Sequence, residues 1–128
     1  MTSEQLQSLK NKDTDGLLTY EYIANHVGEC DEDMPQLVDI LRQVDLSGQF
    51  TASAARFLNA IDAERYAEPV RMLVAATIDH DREHAYLSDL IENIYGADYA
   101  ERAEELSAAD NNFRRMYKRL YPQSLIWV

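Results

Sequence analysis

Apolar residues recur at spacings of three and four along most of this chain, the period of helices that bury one face. Leu37, Ile40, Leu41 and Val44 fall at i, i+3, i+4 and i+7 and predict a helix over 34–44. Phe50, Ala54, Phe57, Leu58 and Ile61 form the inward face of a second, over 51–61. Tyr66, Val70, Leu73, Val74 and Ile78 predict a third over 66–78, and Leu87, Leu90, Ile91 and Ile94 a fourth over 85–95. Further helices are expected over 19–27, 99–109 and 112–121, with a short one over 4–9. Phe113, Met116, Tyr117 and Leu120 give the 112–121 segment its apolar side.

The punctuation fits these spans. Asp33 is placed to cap 34–44, with Pro35 near its start, where a missing N–H costs nothing. Gly96 is a natural left-handed stop. Asp98 with Glu101 makes a capping-box-like pattern ahead of 99–109, and Pro122 ends the last helix. Only four glycines and three prolines occur, which suits long helices joined by short loops.

The chain also matches itself at an offset of 33–34 residues. Ile61 falls on Ile94, Tyr66-Ala67-Glu68 on Tyr99-Ala100-Glu101, and Pro35 on Pro69. Apolar positions land on apolar positions throughout, so the units read as helix pairs over about 17–44, 51–78 and 85–110. A C-terminal helix and apolar tail occupy 112–128. The expected fold is all-α: three antiparallel helix pairs in a short solenoid-like repeat or a compact helical bundle, in a single domain over 1–128. The unit length is that of tetratricopeptide repeats, but the Trp, Leu-Gly-Tyr and Ala-Phe-Pro positions of that family are not matched, and the family is not assigned.

Charge changes the picture of what the surface meets. The 128 residues carry a net charge of −11, unevenly distributed. Residues 1–110 hold all 23 acids against eight of the twelve bases, a net −15, whereas 111–128 hold no acid and four bases, Arg114, Arg115, Lys118 and Arg119. An acidic body repels nucleic acid and anionic membranes at long range, so neither is an expected partner. The basic helix is expected to lie against its own acidic body or to dock on another protein. The lone cysteine, Cys30, cannot form an internal disulfide, and its acidic neighbours should raise its thiol pKa. With no basic region followed by an apolar stretch at the N-terminus, a cytoplasmic location is expected.

The sharpest local motif is the stretch 11–22. It resembles the EF-hand calcium loop: Asn11, Asp13 and Asp15 stand at positions one, three and five, Gly16 at the turn and Leu18 at the apolar eighth position. The resemblance implies calcium ligation by those three residues. Tyr22 stands where the bidentate glutamate belongs, and Glu21 is one residue early. A second stretch, 43–54, repeats the Asp, Gly and Thr 32 residues on, as Asp45, Gly48 and Thr51. The alternative to metal is a helix-linking turn in which Thr19 or Thr51 caps the helix that follows.

His80 and His84 form a second candidate metal pair if the segment around them is helical, since they would then lie one turn apart. The repeat places them instead in the linker equivalent to 45–50. His26, His80, Asp81 and Asp110 also resemble a thinned-out set of HD phosphohydrolase residues, which would imply metal-dependent hydrolysis. No cofactor is expected, and the residues favour a protein without catalytic activity.

Eight tyrosines remain. Tyr66 and Tyr99 hold equivalent repeat positions, where packing with the hydroxyl at the edge is the simplest role. Tyr66, Tyr99 and Tyr121, with Leu125, Ile126 and Trp127 of the tail, are the candidate interaction residues. The expected function is that of a small acidic helical interaction or adaptor module, with a basic protein partner or self-association through the tail. The alternatives are a weak calcium-binding module through 11–22 and a metal-dependent hydrolase.

Overall fold

The structure, a computed structural model, describes residues 1–123. The tail residues Leu125, Ile126 and Trp127 lie outside the described residues. The fold is all-α: α1 (Ser3–Lys12), α2 (Leu17–Asn25), α3 (Met34–Val44), α4 (Gln49–Asp62), α5 (Ala67–His80), α6 (Leu87–Tyr95), α7 (Ala103–Ala109) and α8 (Asn111–Leu120). No strand occurs among the described residues, and none of their helices is long and apolar enough to cross a membrane.

The helices pack in two rows. In one, α1 touches α3, α3 touches α5 and α5 touches α8; in the other, α2 touches α4 and α4 touches α6. Helix α4 is the central element, in contact with α2, α3, α5 and α6. Its inner face carries Ala52, Ala54 and Ala55 around Leu58, and the small side chains let neighbouring helices approach closely. Leu37, Leu41, Leu58 and Leu73 are fully buried, and each such side chain contributes roughly 1.5–3 kcal/mol.

Most expected inward positions are buried, including Val70, Leu73, Val74 and Ile78 on α5 and Tyr66 just before it. Ile61 is not; it is 52% exposed in the last turn of α4.

The third helix pair differs from the expected one. Among the described helices, α7 touches only α8, while α8 itself packs on both α5 and α6. Thus α8 fills the place beside α6 that 99–109 was expected to take. Side-chain size explains the exchange: α7 buries only Ala103 and Ser107, whereas α8 buries Phe113, Met116 and Tyr117. The expected helix start at Tyr99 also moves to Ala103, with 97–102 in turns and Arg102 at the cap position, its side chain making no cap bond to the helix. Tyr99 is held elsewhere, its hydroxyl 2.7 Å from that of Tyr121. Nor does Asp33 cap α3; its carboxylate takes the N-terminal ammonium at 2.8 Å.

The turns between helix pairs stack on one another. A Cβ on Gly16 would lie 3.1 Å from Asp45 Cβ, and one on Gly48 only 3.2 Å from Asp81 Cβ and 3.3 Å from its backbone N. Both glycines have positive φ, +104° and +86°. The third turn has His84 at the corresponding place, with φ +59°. Gly48→Ala is expected to cost about 1–3 kcal/mol in urea unfolding, and His84→Gly to gain about 0.5 kcal/mol by relieving the left-handed backbone. An unchanged Gly48→Ala protein would contradict the close stacking.

Candidate functional site

Many of the chain's chemically capable side chains gather at its turns, and an aspartate organises four of them. Asp13, Asp45, Asp81 and Asp110 each follow the last residue of a helix and donate their backbone N–H to the carbonyl four residues back, on Leu9, Leu41, Thr77 and Leu106. Each carboxylate then turns forward to accept from the helix that follows. Asp13 accepts from the amides of Gly16 (2.9 Å) and Thr19 (2.9 Å) and from the Thr19 hydroxyl (2.6 Å). Asp45 accepts from Gly48 (3.0 Å), Phe50 (2.8 Å) and Thr51 (2.8 Å). Asp81 accepts from Ala85 (2.8 Å), Tyr86 (2.8 Å) and Leu87 (3.0 Å). Asp110 accepts from Asn112 (2.9 Å), Phe113 (3.2 Å) and the Tyr95 hydroxyl (2.8 Å).

Asp13, Asp45 and Asp81 are at most 4% exposed. A carboxylate so far from water is tolerable only when its lone pairs are filled, and helix N-termini offer both amides and a positive dipole end. Burial by itself would raise the Asp13 carboxyl; the Thr19 hydroxyl and the amides of Thr19, Gly16 and Asp15 outweigh it and hold it below the ordinary value. Thr19 and Thr51 are therefore not the caps. Each stands third in its helix, with Thr19 serving Asp13 and Thr51 donating to the Gly48 carbonyl.

This geometry places the candidate metal ligands. In the calcium-like loop, Asn11 accepts from Gln7 on the outer face of α1, and Asp15 accepts from the Leu17 amide. Tyr22 stacks on His26 at 4.1 Å, and Leu18 is 43% exposed rather than packed. His80 is the last residue of α5 and His84 lies in the turn beyond it, so the two do not share a helix face. Nδ1 of His80 donates to the Asp45 carbonyl at 2.7 Å, tying the second turn to the third. His26 Nδ1 bonds the Tyr22 carbonyl, while Asp81 and Asp110 serve separate helices. No group of three or more His, Cys, Asp or Glu side chains placed to hold a metal ion occurs among the described residues.

The second region of interest lies where α3 and α5 begin. The turn before α3 is Glu29-Cys30-Asp31-Glu32-Asp33. Tyr66, 2% exposed, donates its hydroxyl to Asp31 at 2.8 Å, and the Arg65 guanidinium pairs with the same carboxylate while lying 5.4 Å from the Tyr66 ring centre. Tyr66 is thus part of the core, with only its edge turned to this rim. Burial, then Asp31 and Asp33, push the Cys30 thiol up. Beneath the Asp31–Arg65 pair a groove of about 260 Å³ opens between α3 and α5, walled by Met34, Pro35, Val38, Tyr66, Pro69 and Met72. Sequence patterning missed it, because its walls come from residues far apart in the chain.

The basic helix lies against its own body. Arg115 pairs with Asp79 at 2.6 Å, and Arg119 donates to the Ile78 carbonyl at the negative end of α5. Tyr99 and Tyr121 meet at the rim of an aromatic cluster with Phe113 and Tyr117. Their hydrogen bond, with partial burial, pushes the Tyr99 hydroxyl up to about 12. Comparison with family models, curated proteins and solved structures found no match.

Two outcomes follow from the turns. Because the Asp13 carboxyl is held below its ordinary 3.8, its contribution is present at neutral pH and lost as the pH falls through that range. The wild type should exceed Asp13→Asn by about 1–2 kcal/mol at neutral pH, and urea titrations should find the gap closing below about pH 4. Millimolar calcium should leave the melting midpoint of chelator-treated protein unchanged, since the ion would have to displace the amides that Asp13 already holds; a rise of several degrees would contradict this placement.

Proposed function

We propose that this chain is a protein-interaction module without catalytic activity of its own, acting through its acidic helical exterior on basic protein partners. The observation that carries the reading is the use the fold makes of its chemical groups. The buried aspartates, His26, His80, Tyr66 and Tyr95 each serve a turn or a helix end. Left facing outward are carboxylates such as Glu29, Glu32, Glu64, Glu101 and Glu104, on a chain of net charge −11. Opposite charge speeds encounter and selects partners, and the same field discourages nucleic acid. A reducing cytoplasmic setting suits the single buried thiol of Cys30.

Affinity capture from extract, followed by titration of the purified partner, tests this reading. The expected partner is basic, with an affinity that falls about tenfold or more from low to high salt. An acidic partner bound independently of salt would contradict it.

A further inference from the structure

This inference deepens the interaction reading and rests on it. The groove between the starts of α3 and α5 is walled by Met34, Pro35, Val38, Pro69 and Met72, with Asp31, Arg65, Tyr66 and Glu68 completing its lining. Its volume of about 260 Å³ suits one large apolar side chain. Methionine walls adapt to the shape of what they receive.

The rim is acidic. Asp31 and Glu68 line it, paired with Arg65 and Arg71, and the flanking segments 29–33 and 62–68 add Glu29, Glu32, Asp33, Asp62 and Glu64; against Arg65, Arg71 and the N-terminal ammonium, these segments carry a local balance of −4. The N-termini of α3 and α5 offset about one charge of this between them, so a negative field remains. The neighbouring groups register it: Asp31 and Asp33 add to burial in pushing the Cys30 thiol up, and Asp33 and Glu29 do the same for the Tyr22 hydroxyl. Arg65 already demonstrates what the rim accepts, with its guanidinium held between the Asp31 carboxylate and the face of Tyr66. Glu32 and Glu64 are exposed and make no ion pair among the described residues.

We propose that this groove docks a basic segment of another protein, whose large apolar side chain enters between Met34 and Met72 while flanking Lys or Arg residues meet Glu32 and Glu64. Such a pairing of one buried anchor with a charged rim is how small interfaces concentrate their binding energy.

The test is selection of short random peptides displayed on phage against the whole chain, followed by titration of the enriched peptides. The expected peptides carry Lys or Arg around one large apolar residue. Met72→Gln and the double variant Glu32→Lys/Glu64→Lys should each weaken them by about tenfold or more, while Leu46→Ser, at an exposed turn elsewhere, leaves affinity unchanged. Thermal melts of each variant check that the fold is retained. Basic peptides that bind the groove variants as tightly as wild type would overturn the groove and leave the interaction reading standing. Failure to enrich basic peptides would overturn both. A dimer of the chain abolished by Met72→Gln would assign the groove to a second copy and overturn the proposal.

Discussion

The structure depends on a carboxylate buried at the junction between one helix and the next. An aspartate there does two things with a single residue. Its backbone amide closes the last turn of the outgoing helix, and its side chain fills the open amides of the incoming one. A buried carboxylate without those partners would cost several kcal/mol, so the forward amides and the buried position require each other. The result fixes where one helix stops, where the next starts and the direction between them. Gly16 and Gly48 then allow the junctions to stack, since neither presents a side chain to the aspartate of the next turn.

This use of carboxylates constrains function. Residues that look like ligands or acid–base groups in the sequence are the ones that hold turns, and His80 joins two of those turns through a backbone carbonyl. Acidity serves the fold at the junctions and faces outward elsewhere. The C-terminal helix uses the opposite charge in the same way, laying Arg115 and Arg119 on the end of α5. The exterior that the junctions leave is carboxylate-rich, with an apolar groove set into it between α3 and α5.

Much of the fold was legible because helix periodicity is a local property. The stripe of Leu37, Ile40 and Leu41 places α3, and the full inward set of α5 is buried as its spacing requires. The offset also set the His80 segment against the turn at Asp45, and there Asp81 accepts from the following helix as Asp45 does. The Asp-x-x-Gly-x-x-Thr spacing at Asp13 and Asp45 stood in the sequence as a calcium-like loop or a turn. Its role as a cap six residues ahead is a fact of three dimensions, and Asp81 performs it without the glycine or the threonine. The pairing of α6 with α8 was hidden because periodicity says which face of a helix is apolar, not which neighbour covers it. Size decided that contest, with Phe113 and Tyr117 displacing the small residues of α7. The groove between α3 and α5 belongs to the same class: Pro35 and Pro69 were matched as repeat positions, but their convergence on one opening depends on packing.

The most direct measurement is hydrogen exchange at the amides that face the buried carboxylates, those of Gly16, Thr19, Gly48, Thr51, Tyr86 and Leu87. If the aspartate junctions hold the fold together, these turn and first-turn amides exchange as slowly as the central amides of α4 and α5, through global unfolding. Exchange at the rate of ordinary exposed loop amides would contradict the account.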